Sequence, residues 1–289
     1  MAMNASGSDG LLEVNGARIY HEVRGSGPSA LFIAGSTGDA GHFERVAQLL
    51  CDEFTIVTYD RRGNSRSPRP DGWQSTSTEE QSDDAARLIE ALGIAPAAVF
   101  GTSGGAIIGL NLLIRHPELV RGAILHEPSM NAGMSNSEEV AGAIQQVVES
   151  GMQRGGPRGA VEAFLRFVVG DQTYKNFEPS LLERMLENGE TLFGVEFGVF
   201  DSYSPDDATL GGVEVPVVLM AGTESRPYFG EASRWLASRL NVELETLPGG
   251  HSPYIDRPED MAQALRPLLR QLSRQSWGLS PKQNFREQL

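Results

Sequence analysis

The sequence predicts an α/β protein: a mostly parallel central sheet, helices on both faces, and a helical insertion in the middle of the chain. Three observations carry that prediction. Apolar, β-branched runs alternate with helical stretches from Ala30 to His126, the alternation resumes at Val215, and no strand pattern occurs across residues 131–210. At 289 residues the chain is longer than the usual ~100–200 per domain, yet α/β sheets often hold such a length around one core. The expected organisation is a core domain of residues 1–130 and 211–289, with residues 131–210 inserted as a helical lid.

Each element has a local reason. From Leu11 to Val23 two alternating runs flank Asn15-Gly16, a dipeptide that favours the positive φ of a tight turn, so the chain begins with a β-hairpin. After the turn Gly25–Pro28, Ala30-Leu31-Phe32-Ile33-Ala34 is continuously apolar, as a strand buried on both faces is. A helix from about His42 to Leu50 leads to the strand Phe54–Tyr59. Then come a helix at Glu79–Leu92, a strand at Ala97–Phe100, a helix from about Gly105 to Arg115 and a strand at Gly122–His126. Past the insertion follow strand Val215–Met220, helix Phe229–Leu240, strand Val242–Leu247 and a closing helix, Glu259–Leu272. Within the insertion, helices are expected at Glu138–Glu149, Arg158–Val169, Ser180–Glu187 and Thr191–Phe200. It also concentrates Phe164, Phe167, Phe177, Phe193, Phe197, Phe200 and Tyr203. Aromatics at helical spacing usually serve packing, but Phe193 and Phe197 are candidate substrate contacts.

Composition excludes several function classes. With 40% hydrophobic residues the chain can build a core, so disorder is not expected. Lys and Arg number 24 against 38 Asp and Glu, and the net charge of −14 repels phosphate backbones and anionic lipids. Neither a nucleic acid nor a membrane surface is an expected partner; a homodimer is compatible with the sequence. Cys51 is the single cysteine, which leaves no internal disulfide framework and fits a reducing, cytoplasmic compartment. Met1–Ser8 lacks the basic start and apolar stretch of a secretory signal and reads as a loose tail, as does the polar stretch beyond Ser276. The most apolar segment, Ala106–Ile114, is far shorter than the ~20 residues a membrane span needs. No H-E-x-x-H or Cys/His cluster occurs, and Gly25-Ser26-Gly27 precedes a strand instead of opening a helix, so neither metal nor cofactor is expected.

The chemistry gathers around Gly101-Thr102-Ser103-Gly104-Gly105, a G-x-S-x-G pattern between the strand Ala97–Phe100 and a helix. Glycines permit the sharp strand-to-helix turn that leaves a serine hydroxyl exposed at a helix N-terminus. A serine hydroxyl is a poor nucleophile at neutral pH and needs a base of matching pKa, for which histidine is the obvious type. His21 lies in the hairpin and His116 ends a helix, both structural positions. His251 follows the last strand and the turn Pro248-Gly249-Gly250, on the carboxyl edge where parallel sheets place their sites. His42 is a helix-start residue and a candidate substrate contact. For a third member that orients the imidazole, Glu127 and Glu224 both stand at suitable strand ends.

The elbow at Ser103, the turn Asp60–Ser67 and the terminal Gly250-His251 together resemble the α/β-hydrolase superfamily over nearly the whole chain. The resemblance implies the chain order Ser, acid, His, with an oxyanion hole built from the N–H of Gly104 and that of Ser36 in the loop Ala34–Gly38. Many members carry His-Gly where Ala34-Gly35 stands, a difference a backbone donor tolerates. The commoner acid position, after the later strand, reads Gly222-Thr223-Glu224-Ser225-Arg226 and holds no aspartate. A closer similarity, to the zearalenone-type lactone hydrolases, is carried by Leu125-His126-Glu127-Pro128, Gly222-Thr223-Glu224-Ser225 and Pro248–Tyr254. In that family the acid is a glutamate matching Glu127, which implies Glu127 here with Glu224 as the alternative. That family also sets a lid tryptophan against its substrate, whereas Trp73, Trp235 and Trp277 all lie outside residues 131–210. The expected function is hydrolysis of an ester or lactone of a mostly apolar small molecule through an acyl-enzyme. A C–C bond hydrolase acting on a diketone with the same residues, or a non-catalytic receptor, are the alternatives.

Overall fold

The computed structural model describes residues 7–274, so the Met1–Ser6 stretch and the polar stretch beyond Ser276, with Trp277, lie outside the described residues. Ser8, expected in a loose tail, instead begins the first strand. Strands β1 (Ser8–Val14) and β2 (Ala17–Arg24) form the hairpin, turning through Asn15 (φ +49°) and Gly16 (φ +73°). They join β3 (Ser29–Ile33), β4 (Thr55–Tyr59), β5 (Ala97–Thr102), β6 (Val120–His126), β7 (Val217–Gly222) and β8 (Leu244–Leu247) in one eight-stranded sheet. The order is β1-β2-β4-β3-β5-β6-β7-β8; the β1–β2 and β2–β4 pairs are antiparallel and the other pairs parallel. The chain reverses its direction of travel across the sheet between β3 and β5, and such a switch point opens a crevice at the carboxyl ends of the strands.

The apolar strands are explained by two cores. Leu31, Val99 and Leu125 face α2 (Thr78–Ala91) and α3 (Gly104–Arg115), while their neighbours Phe32, Phe100 and Ile124 join the core that contains α1 (Glu44–Leu50). The register of β7 and β8 starts two residues later than the sequence suggests. Pro216 has no N–H to give a ladder, and Val242 gives its N–H to Ala237 O (3.0 Å) at the preceding helix end.

Between β6 and β7 the described chain carries helices and no strand. The two expected helices Glu138–Glu149 and Arg158–Val169 run into one tract, α4 (Ser137–Asn176), which folds into arms at Gly155 and Gly156 (φ +61°) and bends again at Gly170 (φ +84°). The arms touch where a Cβ on Gly151 would sit 2.4 Å from Gly159 O, so only glycine allows that approach. After α5 (Pro179–Glu187) and α6 (Gly189–Thr191), the expected helix Thr191–Phe200 is split: Leu192–Glu196 winds as a π-helical turn before α7 (Phe197–Ser202). Then come α8 (Asp207–Gly211), α9 (Pro227–Leu240), α10 (Pro253–Asp256) and α11 (Pro258–Arg274). Among the described residues no helix is long and apolar enough to cross a membrane.

Candidate active site

Ser103 occupies the turn from β5 to α3 at φ +54° and ψ −124°, a conformation that costs strain in a residue with a Cβ. Its surroundings impose the strain. The Ser103 N–H donates to His126 O (2.9 Å), and its own carbonyl accepts from Ala106 (3.0 Å). The flanking glycines leave no alternative, since a Cβ on Gly105 would stand 2.1 Å from Ile33 O and one on Gly101 2.4 Å from Gly105 O.

Glu127 leaves β6 at φ +46°, tied by its N–H to Met220 O (3.0 Å). Its buried carboxylate accepts from Gly222 N–H (2.8 Å) on Oε1 and lies 2.5 Å from His251 Nδ1 on Oε2. Burial pushes this carboxyl up, but the hydrogen bond with His251 and the neighbouring imidazoles outweigh it and hold it down at about 2. An ionised carboxylate on Nδ1 selects the tautomer protonated there and leaves Nε2 free to accept a proton. The His251 ring is further fixed by Phe229, stacked at 3.7 Å between centroids and 8° between planes. Glu224 has no part in this. It is 61% exposed and pairs with Arg257 at 3.3 Å.

His126, next in chain to Glu127, stacks on His251 at 6.1 Å and bonds Thr102 Oγ1 through Nδ1 (3.0 Å). Burial drives its pKa down to about 4, so a second imidazole sits beside the pair without a competing positive charge.

Ser36, His42, Ser103 and His251 line one cavity, roofed by Val140, Ile144, Phe164, Leu165, Phe197 and Phe200 of the helical insertion. Among the described residues, Ser103 Oγ makes no hydrogen bond to His251; the two share the cavity wall. Gly104 stands just behind, where a Cβ would lie 3.3 Å from the Phe200 ring. His42, 5% exposed, packs between Phe177 and Tyr254, and burial lowers its pKa to about 4 although Asp39 pulls the other way.

One expected contact is corrected. Phe193 is not among the residues lining the cavity; it packs against Phe164 (6.0 Å) and Phe197 (5.4 Å), both of which are. Phe167 and Tyr203 also leave the cavity, the first under Arg226 (4.3 Å) and the second accepting from Asn111 (3.2 Å). Sequence reasoning missed Tyr228, Phe229 and Tyr254 as wall residues. Their one signal was position, just after the ends of β7 and β8. Among the described residues no group of three or more His, Cys, Asp or Glu side chains is arranged to hold a metal ion.

The model of the alpha/beta hydrolase family matches residues 30–264. The chain belongs to that family. Within this α/β-hydrolase setting, it is 34% identical to the uncharacterized hydrolase YraK of Bacillus subtilis over 267 residues, covering 91% of this chain and 96% of that one. It is 26% identical to the zearalenone hydrolase of Cladophialophora bantiana over 257 residues, 87% of this chain and 92% of that one. Among solved structures, the enol-lactonase from Burkholderia xenovorans shares the α/β-hydrolase fold with a TM-score of 0.74 at 18% identity, over 90% of this chain and 100% of that one.

Proposed function

We propose that this α/β hydrolase cleaves carboxylic esters or lactones of mostly apolar small molecules through an acyl-enzyme on Ser103. The observation that carries the reading is the Glu127–His251 pair, buried and bonded at 2.5 Å, on the cavity that Ser103 lines. Ser103 Oγ attacks the carbonyl carbon as its proton passes to His251 Nε2. The N–H groups of Ser36 and Gly104 hold the developing oxyanion. Collapse expels the alkoxide, protonated by His251. Water, deprotonated by the same nitrogen, then attacks the acyl-enzyme and releases the acid. Residues 131–210 act as a lid whose apolar wall selects the substrate, and the single Cys51 suits a reducing cytoplasm.

Labelling with a fluorophosphonate probe and turnover of p-nitrophenyl esters, lactones and diketones test this reading together. Ser103→Ala is expected to abolish labelling and ester turnover in a folded protein. Ester turnover retained in that variant removes the serine mechanism, turnover confined to diketones moves the reaction to C–C cleavage, and an unlabelled wild type leaves a receptor.

A further inference from the structure

We infer that the insertion takes part in the chemistry it encloses: Glu196, acting through Arg61, positions the backbone N–H of Ser36 as an oxyanion donor. The inference rests on the serine mechanism proposed above.

Arg61 and Glu196 are both 0% exposed and meet in a bidentate pair, Nη1 to Oε1 at 2.5 Å and Nη2 to Oε2 at 2.9 Å. Nη1 also donates to Gln81 Oε1 at 3.2 Å, while Nε and Nη2 turn toward the loop after β3. Nε reaches Ala34 O at 3.1 Å and Nη2 reaches Gly35 O at 2.9 Å. Gly35 C=O and Ser36 N–H belong to one planar trans peptide, in which the two bonds point in opposite directions. A bond that fixes Gly35 O therefore fixes the direction of the Ser36 N–H. The donor is also cationic, which polarises the amide and strengthens the N–H on its far side toward negative charge. A second residue of the insertion completes the clamp: Asn188 Nδ2 donates to Thr37 O at 2.8 Å, so carbonyls on both sides of Ser36 are held.

Glu196 is what permits a guanidinium there. A buried cation with no counter-charge is strongly unfavourable, and no other carboxylate bonds Arg61 among the described residues. Glu196 reaches it from the end of the π-helical turn Leu192–Glu196, and such turns recur at functional sites. A purely structural ion pair anchoring the insertion would make the same contacts, so the test must read the oxyanion and not stability alone.

The probe is a trifluoromethyl ketone carrying an apolar tail, to which Ser103 adds to give a hemiketal oxyanion. The matching alcohol, which cannot form one, reports ground-state binding. In Glu196→Gln we expect kcat for an ester and affinity for the ketone to fall together, on the order of tenfold, short of the loss seen when an oxyanion donor is removed outright. KM and alcohol affinity should stay near wild type. If Glu196→Gln does not fold, Arg61→Met/Glu196→Leu removes both charges at once and avoids an unpaired buried one; it should fold and still show the ketone defect. Unchanged ketone affinity in a folded variant, or full activity in the double variant, overturns the positioning role. Failure of the wild type to react with a fluorophosphonate instead removes the serine mechanism beneath it, so the two failures are distinguishable.

Discussion

At the scale of single residues, environment separates side chains of one type. Glu127 and Glu224 both follow strands, but one is buried on His251 and the other is solvated beside Arg257. Glu127→Gln keeps the shape and loses the charge that sets the imidazole tautomer. Its turnover is expected to drop toward the ~10⁴-fold loss of a triad acid made an amide, while Glu224→Gln stays within about twofold. Steady-state kcat on one ester decides, and the reverse ranking would transfer the role to Glu224. His42 and His126 give a pH prediction. Both have folded pKa values of about 4 because burial disfavours the charged ring, against ~6.5 in the unfolded chain. Between those values the unfolded chain binds protons that the folded one refuses, so stability falls as pH drops from ~6.5 to 4. Glu127, depressed to about 2, has the opposite reference: its contribution is complete above ~4.3 and is lost as pH falls from there toward 2. Thermal melts should therefore decline over both ranges, and His126→Asn should flatten the upper one. A Tm unchanged between pH 7 and 4.5 contradicts the burial of neutral imidazoles.

At the scale of elements, glycines decide how closely segments approach. Ile144 stands on the first arm of α4 and Phe164 and Leu165 on the second, so the separation of the arms sets the cavity roof. A methyl on Gly151 would meet Gly159 O at 2.4 Å and Ala160 Cα at 2.8 Å, both backbone atoms that cannot swing away. Gly151→Ala is expected to cost about 1–3 kcal/mol as overpacking, lower Tm and raise KM for an apolar ester severalfold, with kcat little changed. Gly105→Ala meets Ile33 O at 2.1 Å under the elbow itself and should instead collapse kcat. Melting curves and Michaelis kinetics on the two variants separate a roof defect from a nucleophile defect; equal losses of kcat in both would join the roof to the chemical step.

At the scale of the whole molecule, the net charge of −14 and the wall chemistry act in the same direction. Among the described residues, the cavity wall includes Asp201 and no Lys or Arg. An ester whose tail ends in a carboxylate should be turned over with lower kcat/KM than its methyl-ended counterpart, and the gap should narrow as salt screens the long-range field. The comparison at about 20 and 300 mM NaCl checks this, since the Debye length falls below ~10 Å above 0.1 M. A salt-independent gap would place the discrimination in contact packing alone.

The amino-acid sequence determined the features that depend on neighbours in the chain. Apolar runs such as Leu31–Ile33 and Val99–Phe100 read as strands buried on both faces because alternate residues serve the two cores. The Ser103 turn was legible because glycines on both sides of it leave the backbone one sharp path. Only the tertiary structure decided the choices between distant groups. Glu127 meets His251 across 124 positions, and Arg61 meets Glu196 across 135. Apart from the resemblance that implied Glu127, no local pattern registers such pairs, because their partners are chosen by where the strand ends and the insertion come to rest. Which of the insertion's many aromatics line the cavity was only partly readable, since the π-helical turn and the bends at Gly156 and Gly170 change the helical register on which a face is read.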